Sequence, residues 1–219
     1  MSKVKKAFIF SGGKGKRLGI YKKSNIKAFA KISSKKLLLN HIDNLNNSLD
    51  LEKIYIVITE KKKFFEKELK DFKNVEIIEN SKDYSYQGIL SGLEMIKDYV
   101  SNDDKFIIFL ADEFFEKKDF NKFCNQALIS KEDEILVAVK KFDFPFEYFK
   151  NYSVSLDEEK KIILDSFEKN SQIVSDYFGT GLMCLNRELF GVLKKNSNEK
   201  PFYSLINMFN KPVFFKLDN

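Results

Sequence analysis

Arginine, histidine and cysteine are nearly missing from this 219-residue sequence, and long apolar runs are missing altogether. With a single histidine, His41, serine-triad chemistry and histidine-bound metals have little to work with. The two cysteines, Cys124 and Cys184, lie far apart and show no CxxC or Cys/His spacing, so two buried or half-buried thiols are expected. No stretch approaches the ~18 consecutive apolar residues of a membrane span. The opening Met-Ser-Lys-Val-Lys-Lys runs directly into a strand-like segment without an apolar signal core, which predicts a cytoplasmic protein with no membrane insertion. No proline-, glycine- or serine-rich linker and no internal repeat divides the chain, so one domain over residues 1–219 is predicted.

The net charge of +6 comes from 38 basic residues interleaved with 32 acidic ones along the whole chain. The missing basic stripe argues against a nucleic-acid partner. Almost all the positive charge is lysine. Arg17 and Arg187 are the only arginines, so an arginine inside a glycine-rich loop stands out against background usage.

What the chain does have is a regular alternation of apolar patterns. Lys3 to Phe10 reads as a strand buried on both faces, and Leu38, Ile42 and Leu45 mark a helical face within 36–47. Strand-like runs follow at 51–59, 75–78 and 106–110, separated by helical patterns at about 60–70 and around Ile89, Leu93, Ile96 and Tyr99. The fold class is therefore α/β: a Rossmann-like, mostly parallel sheet flanked by helices, with ligands beyond the carboxyl ends of the strands. After a helix at about 119–129 the pattern turns β-rich, with strands at 135–139, 152–156, 162–167 and 177–185 and a hairpin turn between Leu156 and Ile162. This predicts a nucleotide-binding half over 1–130 and a β-rich acceptor-binding half over 131–219.

The strongest local signal is Ser11-Gly12-Gly13-Lys14-Gly15-Lys16-Arg17-Leu18, directly after the first strand. Its glycines let backbone N–H groups approach a polyphosphate closely, and Lys14, Lys16 and Arg17 supply neutralising charge. It is neither a Walker A loop nor a full GxGxxG fingerprint.

Followed by Lys27-Ala28 and Lys35-Lys36-Leu37-Leu38, this loop resembles the GGxGxRL…PK…GKPLL opening of the sugar-phosphate nucleotidyltransferases. Asp112, at the end of the strand 106–111, matches that family's metal-binding aspartate. Glu168-Lys169 and Asp176-Tyr177-Phe178-Gly179-Thr180-Gly181-Leu182 resemble its EKP element and the following TGL-type strand. The resemblance implies an enzyme that transfers a nucleoside monophosphate from an NTP to a sugar 1-phosphate with Mg²⁺, releasing pyrophosphate. It also implies a part in cell-surface polysaccharide assembly.

Residue roles follow from the same resemblance. Arg17, Lys27 and Asp112 would be catalytic. Ser11, Gly12, Gly13, Lys14, Gly15, Lys16, Gln87 and Gly88 would bind the nucleotide; Glu168, Lys169, Thr180 and Gly181 would bind the acceptor; Asp112 and Asp218 would hold the metal. Taken one at a time, each has an ordinary reading: Asp112 as a turn cap, the lysines as solvated charges, Glu168-Lys169 as an ion pair. His41, on the face shared by Leu38 and Leu45, reads as a half-buried structural histidine.

Several positions depart from the family pattern. Ile26 and Asn170 stand where prolines are usual, Ala111 stands for a glycine, and Asn151-Tyr152 replaces a Tyr-Gly pair. Tyr152 is expected to crowd the acceptor pocket, which keeps open a cytidylyltransferase for a small phosphorylated alcohol or polyol. A non-catalytic nucleotide sensor is the alternative from another class. Gly88 to Glu94 also resembles the GILAGLE helix of cofactor-guanylating relatives. The dense aromatics of Phe142 to Phe149 are mostly expected in the core, and some of them could form a lid or a homo-oligomer contact.

Overall fold

A computed structural model describes residues 4–12, 26–32, 34–79, 89–101, 105–143, 152–167, 175–196, 206, 208–209 and 211–218. The first strand, β1 (Val4–Phe10), lies between β4 (Lys53–Ile58) and β6 (Lys105–Leu110), all parallel, and β5 (Val75–Glu79) extends the sheet beyond β4. On the other side β10 (Tyr177–Leu185) runs antiparallel to both β6 and β7 (Glu134–Lys141). Then come β11 (Lys211–Lys216), parallel to β7, and the hairpin of β9 (Ile162–Phe167) with β8 (Ser153–Asp157). The sheet order is β5-β4-β1-β6-β10-β7-β11-β9-β8, a mostly parallel half joined edge to edge with a mixed half.

Successive residues of a strand face opposite sides, and helices cover both. One face carries Ala7, Ile9, Ile56, Ile107 and Phe109 against α1 (Leu37–Ser48), α2 (Lys62–Leu69) and α4 (Lys117–Ile129). The opposite face carries Phe8, Phe10, Val57, Phe106 and Ile108 against α3 (Ile89–Ile96) and α5 (Glu188–Asn196). Each large apolar side chain fully buried this way contributes roughly 1.5–3 kcal/mol relative to exposure.

Several elements lock at specific residues. A Cβ on Gly92 would come 2.5 Å from the Phe10 ring, so this glycine lets α3 lie directly on the end of β1. In the β8–β9 hairpin the Asp157 carboxylate accepts the Lys160 N–H at 3.0 Å, and Lys161 turns the chain with φ of 57°. Arg187 donates to the Val100 carbonyl at 2.7 Å, tying the start of α5 to the chain beyond α3. His41 is fully buried rather than half-buried, because β6 and the chain after it close over α1 with Phe109 and Phe115. Both cysteines are free and buried, and burial pushes both thiols up. No helix among the described residues is long and apolar enough to cross a membrane.

Candidate functional site

Strand order reverses across the β1–β6 pair: the chain leaves β1 for β4 and β5, then returns to β6 on the other side. Such a switch point leaves a crevice beyond the carboxyl ends of the strands. Ser11 and Gly12 leave β1 there, Thr59 follows β4, and Ala111, Asp112 and Glu113 follow β6.

The edge is built tightly. Ser11 N–H donates to the Val57 carbonyl at 2.8 Å, and Ala111 N–H donates to the Phe10 carbonyl at 2.9 Å, so the three strands stay joined to their last residues. A Cβ on Gly12 would come 3.0 Å from Thr59 Cγ2, and Thr59 donates its hydroxyl to the Gly12 carbonyl at 3.3 Å. Ser11 Oγ is buried and has no hydrogen-bond partner among the described residues. A buried hydroxyl left unpaired costs about 1–3 kcal/mol, and a ligand oxygen or water in the crevice would remove that cost.

Lys27 reaches this edge from a 3-10 turn, Lys27–Phe29, anchored from beneath. Phe29 is buried and meets Phe64 and Phe65 of α2 edge-on, with centroids 5.2 Å away in both cases. From that anchor the Lys27 ammonium pairs with the Asp112 carboxylate, whose side chain is 33% exposed. Two residues that the sequence separates by 85 positions thus form an ion pair at the rim of the switch point.

The acceptor-side residues behave differently. Thr180 is buried, its hydroxyl donating to the Ala138 carbonyl at 3.1 Å and accepting from Leu182 N–H at 3.2 Å. Those bonds stand where the β10–β7 register shifts between Gly179 and Met183, so the hydroxyl serves the sheet. Gly181 N–H donates to the Glu113 carboxylate. Tyr152, expected to crowd an acceptor pocket, is instead buried in the core, with its ring over Gly179 and its hydroxyl donating to the Thr180 carbonyl at 2.9 Å. The missing side chain at Gly179 makes the room that the ring fills.

Asp218, the other expected metal ligand, is paired with lysines of α4. Its carboxylate accepts Lys122 Nζ at 2.9 Å and lies 3.6 Å from Lys118 Nζ, both on α4. The Lys122 hydrogen bond holds Asp218 below the usual carboxylate range. Burial and the Asp218 charge raise the neighbouring Asp119. Gly13, Lys14, Gly15, Lys16, Arg17, Gln87, Gly88, Glu168 and Lys169 lie outside the described residues, as do residues 144–149 of the aromatic cluster. Phe142 is described and packs on Phe178 with centroids 4.8 Å apart.

Among the described residues no three acidic, histidine or cysteine side chains converge as a metal cage. A Mg²⁺ ion does not need one, since it commonly binds through one or two carboxylates with substrate phosphates and waters completing the octahedron. A part-exposed Asp112 fits that pattern. Reading the sequence missed Glu113 and Thr59. Adjacency to Asp112 could have flagged Glu113, but its partner lies 68 residues away.

A family model for nucleotidyl transferases matches residues 6–211. The chain is 29% identical over 194 residues to a bifunctional sugar-1-phosphate nucleotidylyltransferase/acetyltransferase of Sulfurisphaera tokodaii. That alignment covers 88% of this chain and 43% of the relative, so the chain spans less than half of the curated relative it matches. Among solved structures, the inositol-1-phosphate CTP transferase from T. maritima superposes with a TM-score of 0.78 at 19% identity, covering 98% of this chain and 86% of that one. A candidate glucose-1-phosphate thymidylyltransferase from Bacillus anthracis gives 0.79 at 19% identity, covering 98% and 87%. With most of its length matched by the family model, this chain belongs to the nucleotidyl transferase family.

Proposed function

We propose that this chain transfers a nucleoside monophosphate from an NTP to a sugar 1-phosphate, releasing pyrophosphate and forming an NDP-sugar, with Mg²⁺ as cofactor. The observation that carries this reading is the Lys27–Asp112 pair at the rim of the β1–β6 switch point, the crevice edge that also holds the buried Ser11 hydroxyl, without a partner among the described residues.

A phosphomonoester is already largely ionised near neutral pH, so its oxygen can attack the α-phosphorus without a general base. The new P–O bond forms as the bond to the β-phosphate breaks, and pyrophosphate carries away the electron pair. The protein's task is to bring two anions together in line. Ser11 Oγ–H would donate to a phosphate oxygen, and Lys27, paired with Asp112, would supply positive charge there. Asp112 would hold the divalent ion, which supplies Lewis-acid polarisation of the phosphate bound to it. Arg17 and the lysines of the glycine-rich loop are proposed to neutralise the triphosphate, and Glu168 and Lys169 to hold the acceptor. A cytoplasmic setting and a place before polysaccharide assembly complete the proposal.

The test is pyrophosphate release with Mg²⁺, crossing ATP, CTP, GTP, UTP and dTTP with sugar 1-phosphates and phosphorylated polyols. Asp112→Ala should lower kcat/KM at least ~100-fold, about 3 kcal/mol of transition-state stabilisation, with an unchanged circular dichroism spectrum. A fully active Asp112→Ala protein would sink the assignment of Asp112. NTP binding without release from any pair would favour a nucleotide sensor.

A further inference from the structure

Resting on that transferase reading, we propose that Glu113 is a positioning residue that clamps β10 to the end of β6 and so fixes Asp112 relative to the acceptor strand. Both carboxylate oxygens of Glu113 accept the Gly181 N–H, Oε1 at 3.0 Å and Oε2 at 2.9 Å. The β6–β10 ladder pairs Leu185 with Phe106, Cys184 with Ile107 and Met183 with Ile108, and Gly181 lies two residues beyond it. A backbone donor past the end of its ladder needs another acceptor, and a carboxylate makes the stronger, charge-assisted bond.

The approach is close enough that a side chain at 181 would force its neighbours to shift. A Cβ at 181 would stand 2.7 Å from Leu110 Cγ and 2.9 Å from Glu113 Oε1. The main chain of Glu113 is held as well: its carbonyl accepts His41 Nε2–H at 2.8 Å from α1, and its N–H donates to the Leu110 carbonyl at 3.2 Å. One residue therefore joins β6, α1 and β10, and Asp112 is its immediate chain neighbour. The backbone that carries Asp112 cannot shift toward or away from the crevice without disturbing these bonds. A shift of about 1 Å at a reacting centre can cost about 100-fold in rate, so the clamp acts on turnover through Asp112.

Three variants test this: Glu113→Ala, Glu113→Gln and Glu113→Asp. In the pyrophosphate-release assay Glu113→Ala should lower kcat by about tenfold or more while the KM for NTP stays within about twofold. Glu113→Gln keeps an oxygen that can accept the Gly181 N–H and should recover most of the rate, whereas Glu113→Asp, a methylene shorter, should not. Wild-type kcat in Glu113→Ala would overturn the proposal. So would Glu113→Gln as slow as Glu113→Ala, since charge rather than geometry would then be what matters.

A second readout needs no turnover. In the ligand-free protein, amide hydrogen exchange at Gly181 should speed up about tenfold in Glu113→Ala, with exchange at Cys184 inside the ladder unchanged. Unchanged Gly181 exchange would remove the clamp. If the wild-type protein releases no pyrophosphate with any pair, the transferase reading falls, and the clamp's part in catalysis falls with it. The exchange experiment still decides whether the clamp exists.

Discussion

His41 packs among aromatic rings. Its ring meets Phe109 edge-on at 5.0 Å and Phe115 at 6.1 Å, Nε2–H donates to the Glu113 carbonyl, and Nδ1 is buried without a partner among the described residues. Burial lowers its pKa from the ordinary value to about 4, with the bond to Glu113 working in the opposite direction. Because the folded-state pKa is depressed, the unfolded chain binds the extra proton first as pH falls below about 6.5. The native state should then lose stability down to about pH 4, by up to ~3 kcal/mol. Asp119 has the opposite sign, since a carboxyl raised in the folded state costs stability as pH rises through its range. A comparison with His41→Gln isolates the histidine. The variant's thermal midpoint should fall less steeply between pH 6.5 and 4 than that of the wild type, and parallel curves would show that His41 is not the titrating group.

At the scale of elements, β10 and the start of β8 depend on one matched pair. Tyr152 is 3% exposed, and a Cβ on Gly179 would come 2.0 Å from its hydroxyl oxygen. Gly179→Ala should therefore cost about 1–3 kcal/mol by overpacking. Combining it with Tyr152→Ala should cost less than the sum of the two single changes, as residues in contact couple. Strict additivity in denaturant melts would refute the contact. This pair also marks where reading the sequence ran out. Local periodicity was enough to place β1, α1, β4, β10 and the β8–β9 hairpin within a residue or two, because each carries a full apolar pattern of its own. The two-residue strands Lys31–Ile32 and Lys35–Lys36, the helix α5 and the strand β11 were not foreseen. At the site, Lys27 and Asp112 were legible as a motif and do meet. The bond from Gly181 to Glu113 and the burial of Tyr152 depend on strands adjacent in space but distant in the chain, which no local pattern encodes. Lys105 is a similar case, a fully buried lysine whose ammonium donates to Ser130 and to the Lys131 carbonyl just beyond the C-terminus of α4, where the helix dipole favours a cation.

At the scale of the whole molecule, the division into a nucleotide half and an acceptor half does not extend into the packing. The core beneath α1 and α4 joins Ala7, Ile107 and Phe109 with Leu136, Ala138, Leu182 and Cys184. The core beneath α3 and α5 joins Phe8, Ile108 and Leu93 with Val137, Met183 and Leu185. Strand β10, from the second half, is hydrogen-bonded directly to β6 from the first. Neither half can open without exposing apolar surface of the other, so the chain is expected to unfold in one transition. Leu182→Ala tests this, because Leu182 is fully buried at the seam and its truncation should cost about 2–5 kcal/mol. Calorimetry should show a single peak displaced to lower temperature, with calorimetric and van't Hoff enthalpies still equal. A second peak, with the transition reporting on β1 and β4 left in place, would mean that the halves are independent units and that the continuous sheet conceals a domain boundary near residue 130.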